Sequence, residues 1–402
     1  MGNRRGIYIH IPFCVRKCNY CAFLSFEAET SPRTEYAEAV VKEIARRGEE
    51  LGHPDIDTIY VGGGTPSVLD VSQMRDIMHE VGKAFRIKEG AEITIEANPA
   101  TLGRKDGVML AKMQAYKYMG FNRLSMGVQS MDNDRLHFLG RIHTPENIER
   151  DMDIVRRKGF YNVNLDMMFS VPSESKEDAM EDLEKILRFD PEHISCYSLQ
   201  IEEGTPFAAM MESGEISEIP DEEDRDTYHK ICARLREAGY EHYEISNFAK
   251  AGYRSQHNSL YWNMDDYIGI GLGASGFVNG VRYKITSDFD EYFKAIDEGR
   301  FPVEEEHVNT AFDNISEAVF TGLRRVEGIT YEDAMDAYMR AKDADLFLDS
   351  KKPEEAFWEI FEEAKEEAED YASRGLLMID GNGLRLTEQG IDISNSIMSL
   401  FV

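Results

Sequence analysis

Six short β-branched runs alternate with amphipathic helical stretches through the first half of the chain. The runs are Ile7–Ile11, Thr58–Val61, Glu92–Glu96, Arg123–Val128, Asn162–Met167 and His193–Ser198. Between them lie Thr34–Leu51, Val71–Phe85, Asp106–Met119, Pro145–Lys158 and Ser175–Arg188, which read as helices. Strands separated by helices predict a parallel sheet with helices outside it. Six units are too few for a closed eight-stranded barrel, so the pattern predicts an α/β fold, an open, partial parallel (β/α)6 barrel. Such barrels carry their chemistry at the carboxyl ends of the strands. Those ends are chemically marked here. A cysteine-rich segment follows the first strand, and Gly62-Gly63-Gly64-Thr65-Pro66 follows the second. Glu96-Ala97-Asn98-Pro99 closes the third, Gly127-Val128-Gln129-Ser130 closes the fourth, and Asp166 lies in the fifth.

The cysteines are Cys14, Cys18 and Cys21. Thiolates are the usual ligands of iron–sulfur clusters, and three from one loop fill three corners of a four-iron cubane while leaving one iron open to a small molecule. A structural zinc site would need a fourth ligand, for which His10 is the candidate. A disulfide framework fits poorly with five cysteines in all, and Cys196 and Cys232 stand in surroundings where buried inert thiols are the default. The C-x3-C-x2-C spacing, with Tyr20 before the last cysteine, resembles the signature of the radical S-adenosyl-L-methionine (SAM) enzymes.

Composition narrows the alternatives. A length of 402 residues suggests two or three domains, and a net charge of −30 argues against a nucleic-acid partner, which needs a basic stripe to displace counterions. Between Glu327 and Ser373 there are 16 acidic residues against 5 Lys or Arg, as on a solvated helical surface. No apolar run is long enough to span a bilayer, and the basic start leads into the cysteine motif and not into a signal core, so reduced thiols and a cytoplasmic location are expected.

The second half divides in two. Glu202–Asp226 reads as an acidic connector, followed by a helix over Glu222–Ala238 and a strand within Tyr240–Ser246. From about Phe301 the chain is helical and acidic up to Arg374, and then carries two short apolar runs around Asp380-Gly381-Asn382-Gly383. This helix–helix–hairpin order predicts a smaller α+β, winged-helix-like domain. The expected units are residues 1–220 for the partial barrel, 221–300 for its extension and 301–402 for the C-terminal domain.

Within the barrel, glycines at Gly63 and Gly64 permit close backbone approach to a ligand, with a simple turn as the alternative. Thr65 with these glycines suits the amino-acid end of SAM at the open iron. Glu96, Gln129, Arg141 and Asp166 are candidate polar contacts, Arg141 as a bidentate partner for a carboxylate. His257, in His257-Asn258-Ser259-Leu260-Tyr261-Trp262, could be an axial heme ligand or a hydrogen-bonded core histidine, and the residues alone leave both open.

Together, His10-Ile11-Pro12-Phe13-Cys14, Gly62–Pro66, Gly127–Ser130, Leu165-Asp166, His257-Asn258-x-x-Tyr261-Trp262 and Leu386-Thr387-x-x-Gly390 resemble the oxygen-independent coproporphyrinogen III oxidase-like family of radical SAM proteins. Within it the chain is most similar to the HemW heme-chaperone branch. The true dehydrogenases carry a further cysteine where Phe23 stands, and an N-terminal extension where only 13 residues precede Cys14. The resemblance implies a [4Fe-4S] cluster on Cys14, Cys18 and Cys21. It implies SAM contacts at Tyr8, Gly63, Gly64, Thr65, Glu96, Gln129, Arg141 and Asp166, with a weaker region at Gln200. It also implies heme at the segment of His257. The implied partners are heme and a heme-acceptor protein, through which the chain could associate peripherally with a membrane. Two other functions fit the resemblance: coproporphyrinogen III oxidation, and a radical SAM methyltransferase of anaerobic heme degradation. Whether SAM is turned over stays open. Ser170 stands where the family usually has glycine.

Overall fold

The computed structural model describes residues 4–103 and 105–402; residues 1–3, the first part of the basic start, and residue 104 lie outside them. Six parallel strands form where the alternation places them: β1 (Arg5–Ile11), β2 (Asp55–Gly63), β3 (Arg86–Ala97), β4 (Arg123–Gln129), β5 (Val163–Phe169) and β6 (His193–Ser198). They lie side by side in chain order. Helices Arg33–Glu50, Val71–Ala84, Asp106–Tyr118, Pro145–Arg157 and Lys176–Leu187 connect them.

The two faces of this sheet differ in kind. One carries Ile7, Ile9, Ile59, Val61, Ile95, Leu124, Met126, Leu165 and Ile194, all buried against helix residues such as Val40, Ile44, Ile77, Met113 and Leu183. Each such side chain contributes about 1.5–3 kcal/mol by leaving water. The alternate residues point inward, and the register sets Tyr8 beside Tyr60, Tyr60 beside Thr94, and Thr94 beside Arg123. One layer higher it sets Glu96 beside Ser125, Ser125 beside Asn164, and Asn164 beside His193. Parallel sheets are ordinarily apolar on both faces. A polar inner face marks a lumen meant for a polar ligand.

The sheet stays open and grows at both edges. Beside β6 lie two short antiparallel strands, β7 (Glu241–Glu244) and β8 (Asn247–Ala249), in the order β6-β8-β7. Beside β1 lies a further parallel strand, β9 (Asp266–Ile270), and then antiparallel β10 (Ser275–Val278), β11 (Val281–Ile285) and β12 (Val303–Val308). The extension expected at 221–300 thus serves both edges. Its expected end is corrected: β12 pairs with β11, so the sheet runs past residue 300. The connector Glu202–Asp226 also differs from expectation, because it contains the helix Pro206–Glu212, capped by Thr205.

The C-terminal unit packs helices Ala311–Gly322, Tyr331–Met339 and Glu362–Ser373 on a small sheet of Ile329–Thr330, Gly383–Leu386 and Leu377–Ile379, the winged-helix-like order expected. Cys196 and Cys232 are free and buried, as their surroundings predict.

Ser170, just after β5, adopts φ +58°, the left-handed region that glycine occupies without strain, and its buried Oγ has no hydrogen-bond partner. Ser170→Gly is therefore expected to stabilise the fold by about 1 kcal/mol. Urea unfolding would check this; a lowered midpoint would mean that Ser170 holds its turn in another way.

Candidate functional site

The cysteine loop leaves β1 at Pro12 and is held from several sides. The Gly64 amide donates to the Ile11 carbonyl at 3.0 Å and the Thr65 amide to the Phe13 carbonyl at 2.7 Å. The Asn19 side chain donates to the Phe138 carbonyl at 2.8 Å, and the Phe207 amide donates to the Asn19 carbonyl at 3.1 Å. The glycine requirement is steric. Gly63 has φ +108°, and a Cβ there would lie 2.4 Å from the His10 ring. A Cβ on Gly64 would lie 2.8 Å from the Phe13 backbone. Gly63 thus makes room for His10 on β1, and Gly64 for the backbone of the cysteine loop.

Cys14, Cys18 and Cys21 are free, partly buried thiols on the wall of one cavity of about 450 Å³. Burial raises the Cys14 and Cys21 pKa values. Donors face the sulfurs: Arg141 Nη1 lies 3.5 Å from Cys18 Sγ and Thr65 Oγ1 lies 3.6 Å from Cys14 Sγ. At Cys14 the Thr65 hydroxyl works against the rise that burial causes. His10 is no fourth ligand to a zinc ion. Its Nδ1 accepts from the Tyr8 hydroxyl at 2.9 Å and its Nε2 donates to the Leu24 carbonyl at 3.2 Å. Among the described residues, no three His, Cys, Asp or Glu side chains gather as a single metal ion would require.

Gly63, Gly64, Thr65, Glu96, Gln129, Arg141, Asp166 and Gln200 line the same cavity. The Glu96 carboxylate accepts from the Tyr60 hydroxyl at 2.6 Å and from the Gly63 amide at 3.0 Å. Arg141 Nη2 donates to Asn98 Oδ1 and to the Gly127 carbonyl, both at 2.5 Å, so the fork expected to clasp a carboxylate is already engaged. Only its buried Nε lacks a partner. Asp166 accepts from the Asn164 amide at 2.7 Å. Asn164 accepts in turn from His193 Nδ1 at 2.6 Å, and His193 Nε2 accepts from the Tyr243 hydroxyl at 2.7 Å. Gln129 reaches the cavity from a left-handed backbone, φ +68°, at a register shift in β4.

Two residues assigned by sequence stand apart from the cavity wall. Tyr8 lies beneath it, its hydroxyl bound to His10. His257 lies on the helix Gln256–Trp262, which closes the floor of the barrel through Glu92, whose carboxylate accepts from the Gln256 and His257 amides at 3.2 and 3.0 Å. The His257 ring is 1% exposed and stacks on Tyr60 at 5.2 Å. Its Nδ1 is 2.7 Å from Thr58 Oγ1 and its Nε2 is 2.9 Å from the Tyr261 hydroxyl. Burial lowers its pKa to about 3. In this conformation His257 is the hydrogen-bonded core histidine, with neither nitrogen free for iron.

Arg123 was missed. It is 2% exposed, it lines the cavity, and among the described residues its guanidinium makes no hydrogen bond or ion pair. The signal was present, since counting back by twos from Gly127 through Ser125 reaches it on the inward face.

Burial pushes the Glu96 pKa up to about 7, against the lowering effect of the Tyr60 hydroxyl. Folded Glu96 thus holds its proton above the ordinary value of 4.5, and the stability this contributes is lost as the pH rises from there to about 7. Binding of a ligand ammonium follows the opposite sign, because it needs the carboxylate. SAM affinity of the cluster-loaded protein is expected to rise about tenfold from pH 6 to pH 8 and to lose that rise in Glu96→Gln. Calorimetric titration at the two pH values checks this; an equal rise in the variant would assign it elsewhere.

The chain's similarities agree with this site. Residues 8–186 match the Radical SAM superfamily and residues 348–393 match the HemN C-terminal domain. The heme chaperone HemW of Bacillus subtilis is 32% identical over 399 residues, covering 99% of both chains. That of Escherichia coli is 37% identical over 275 residues, covering 68% of this chain and 70% of its own. Among solved structures, coproporphyrinogen III oxidase (HemN) from Escherichia coli, a radical SAM enzyme, superposes with a TM-score of 0.82 at 21% identity. That match covers 99% of this chain and 90% of the other, and it speaks for the fold. With end-to-end similarity to HemW and the three-cysteine loop in place, the chain belongs to the HemW family of radical SAM proteins.

Proposed function

We propose that this protein is a heme chaperone, which binds heme together with a [4Fe-4S] cluster and SAM and hands the heme to an acceptor protein. The observation that carries this reading is the match to the Bacillus subtilis heme chaperone along 99% of both chains. The residues fit the two other cofactors. Three free thiols, two of them with donors aimed at the sulfur, suit a cluster, and the unpartnered groups of Arg123 and Arg141 leave capacity for a polar ligand in the same cavity.

Cys14, Cys18 and Cys21 would hold the cluster. When bound, the cluster and SAM supply one-electron chemistry at a sulfonium centre. The chain's own contribution is positioning. Arg141 sets a positive charge against the Cys18 sulfur while Asn98 and Gly127 fix its direction. Glu96, held by Tyr60 and Gly63, and Asp166, held by Asn164, offer acceptors for the ammonium and hydroxyl groups of SAM. Thr65 and Gln129 complete the wall.

Anaerobic reconstitution followed by heme titration tests the reading. Stoichiometric heme binding is expected, followed by transfer to apo-acceptor and with heme recovered intact. Release of carbon dioxide from coproporphyrinogen III in the presence of SAM and reductant would overturn it in favour of the oxidase. Formation of a linear tetrapyrrole would overturn it in favour of the methyltransferase.

A further inference from the structure

The mouth of the cluster cavity is unlike the rest of the molecule. Phe23, 71% exposed, and Tyr197, 40% exposed, line it together with exposed Val15 and Ile142. Single exposed apolar side chains are ordinary, whereas several around one opening mark a binding surface. Arg16 and Lys17 line the same cavity, both exposed, and neither makes a hydrogen bond or salt bridge among the described residues. Two adjacent unpaired cations are conspicuous in a chain of net charge −30.

A second chamber of about 1230 Å³ adjoins this mouth and shares Phe23, Tyr197, Leu199, Gln200 and Glu202 with it. Its charge is opposite. Besides the shared Glu202, it is lined by Glu218, Asp221, Glu222 and Asp224, and its two arginines are already paired, Arg225 with Asp224 and Arg324 with Glu244. A carboxylate is repelled there and attracted at Arg16 and Lys17.

We infer that heme sits at the mouth, with its macrocycle against Phe23 and Tyr197 and its propionate edge turned to Arg16 and Lys17. This rests on the heme-chaperone reading and adds the seat and the orientation. A planar apolar ring with carboxylates along one edge matches an apolar opening with cations on one side. A seat at the surface also suits handover, because an acceptor reaches the heme there directly, whereas His257 is buried with both ring nitrogens bonded.

The test uses the full-length, cluster-loaded protein with hemin and with hemin dimethyl ester, whose propionates carry no charge. Wild type is expected to bind hemin about tenfold more tightly than the ester. Arg16→Glu/Lys17→Glu should erase that difference. Phe23→Ser/Tyr197→Ser should weaken both ligands about tenfold, with iron content and SAM binding retained. Equal affinity of wild type for hemin and its ester, or wild-type hemin binding by either double variant, would overturn the seat while leaving the chaperone reading intact. Failure of wild type to bind either ligand would instead overturn the chaperone reading itself.

Discussion

Cys18→Ser is expected to remove the cluster and, with it, SAM binding. Three thiolates are the only ligands that this loop offers, and a serine hydroxyl stays protonated at neutral pH, so one corner of the cubane loses its bond. The loss propagates because the Arg141 charge at the Cys18 sulfur then faces a neutral hydroxyl. Iron should fall from about four atoms per chain to near background, and the visible absorbance should disappear. The fold should survive, since Cys18 is partly exposed on a loop pinned by Gly64, Thr65 and Asn19, and the unfolding free energy of the apo-protein should change by less than about 0.5 kcal/mol. Retention of iron and colour by the variant would place the cluster on other ligands.

Arg123→Met is expected to move stability and affinity in opposite directions. A guanidinium that is 2% exposed and without a partner carries a desolvation cost, so a neutral side chain of similar length should stabilise the apo-protein by about 1 kcal/mol. The same charge helps to keep Glu96 and Asp166 ionised against the burial that raises both pKa values. Without it they hold their protons to higher pH, and SAM affinity near neutrality should fall about tenfold or more. Urea unfolding of the apo-protein and calorimetric SAM titration of the cluster-loaded protein give the two readings. A destabilised variant with unchanged SAM affinity would make Arg123 a structural strut.

Much of the site was legible because it repeats a local rule. Each strand of the barrel is a period-two pattern bounded by a helix, so Cys14, Gly63, Glu96, Gln129 and Asp166 fall at one rim by counting along the chain. The roles of His257 and Arg141 were not legible in the same way. His257 meets Thr58 across 199 residues of sequence, and Arg141 meets Cys18 across 123. Nothing in the residue type says whether an imidazole nitrogen or a guanidinium fork will be spent on such a partner or left for a ligand. One edge strand was obscured for a related reason. β7 falls within the strand expected at Tyr240–Ser246, but β8 has three residues, too short for a local pattern, and it exists because β6 offers an unpaired edge.

The sequence by itself thus determined the parallel barrel, the rim on which the chemistry sits and the three thiols for a cluster, since all of these follow from periodicity and spacing within single segments. Only the tertiary structure decided that His257 is a sealed floor residue, that Arg141 is already engaged, that Arg123 is buried without a partner, and that the cavity opens through an apolar, cationic mouth. These depend on which distant groups meet. A hydrogen bond or an unpaired charge is a property of the pair and its burial, and local sequence carries neither.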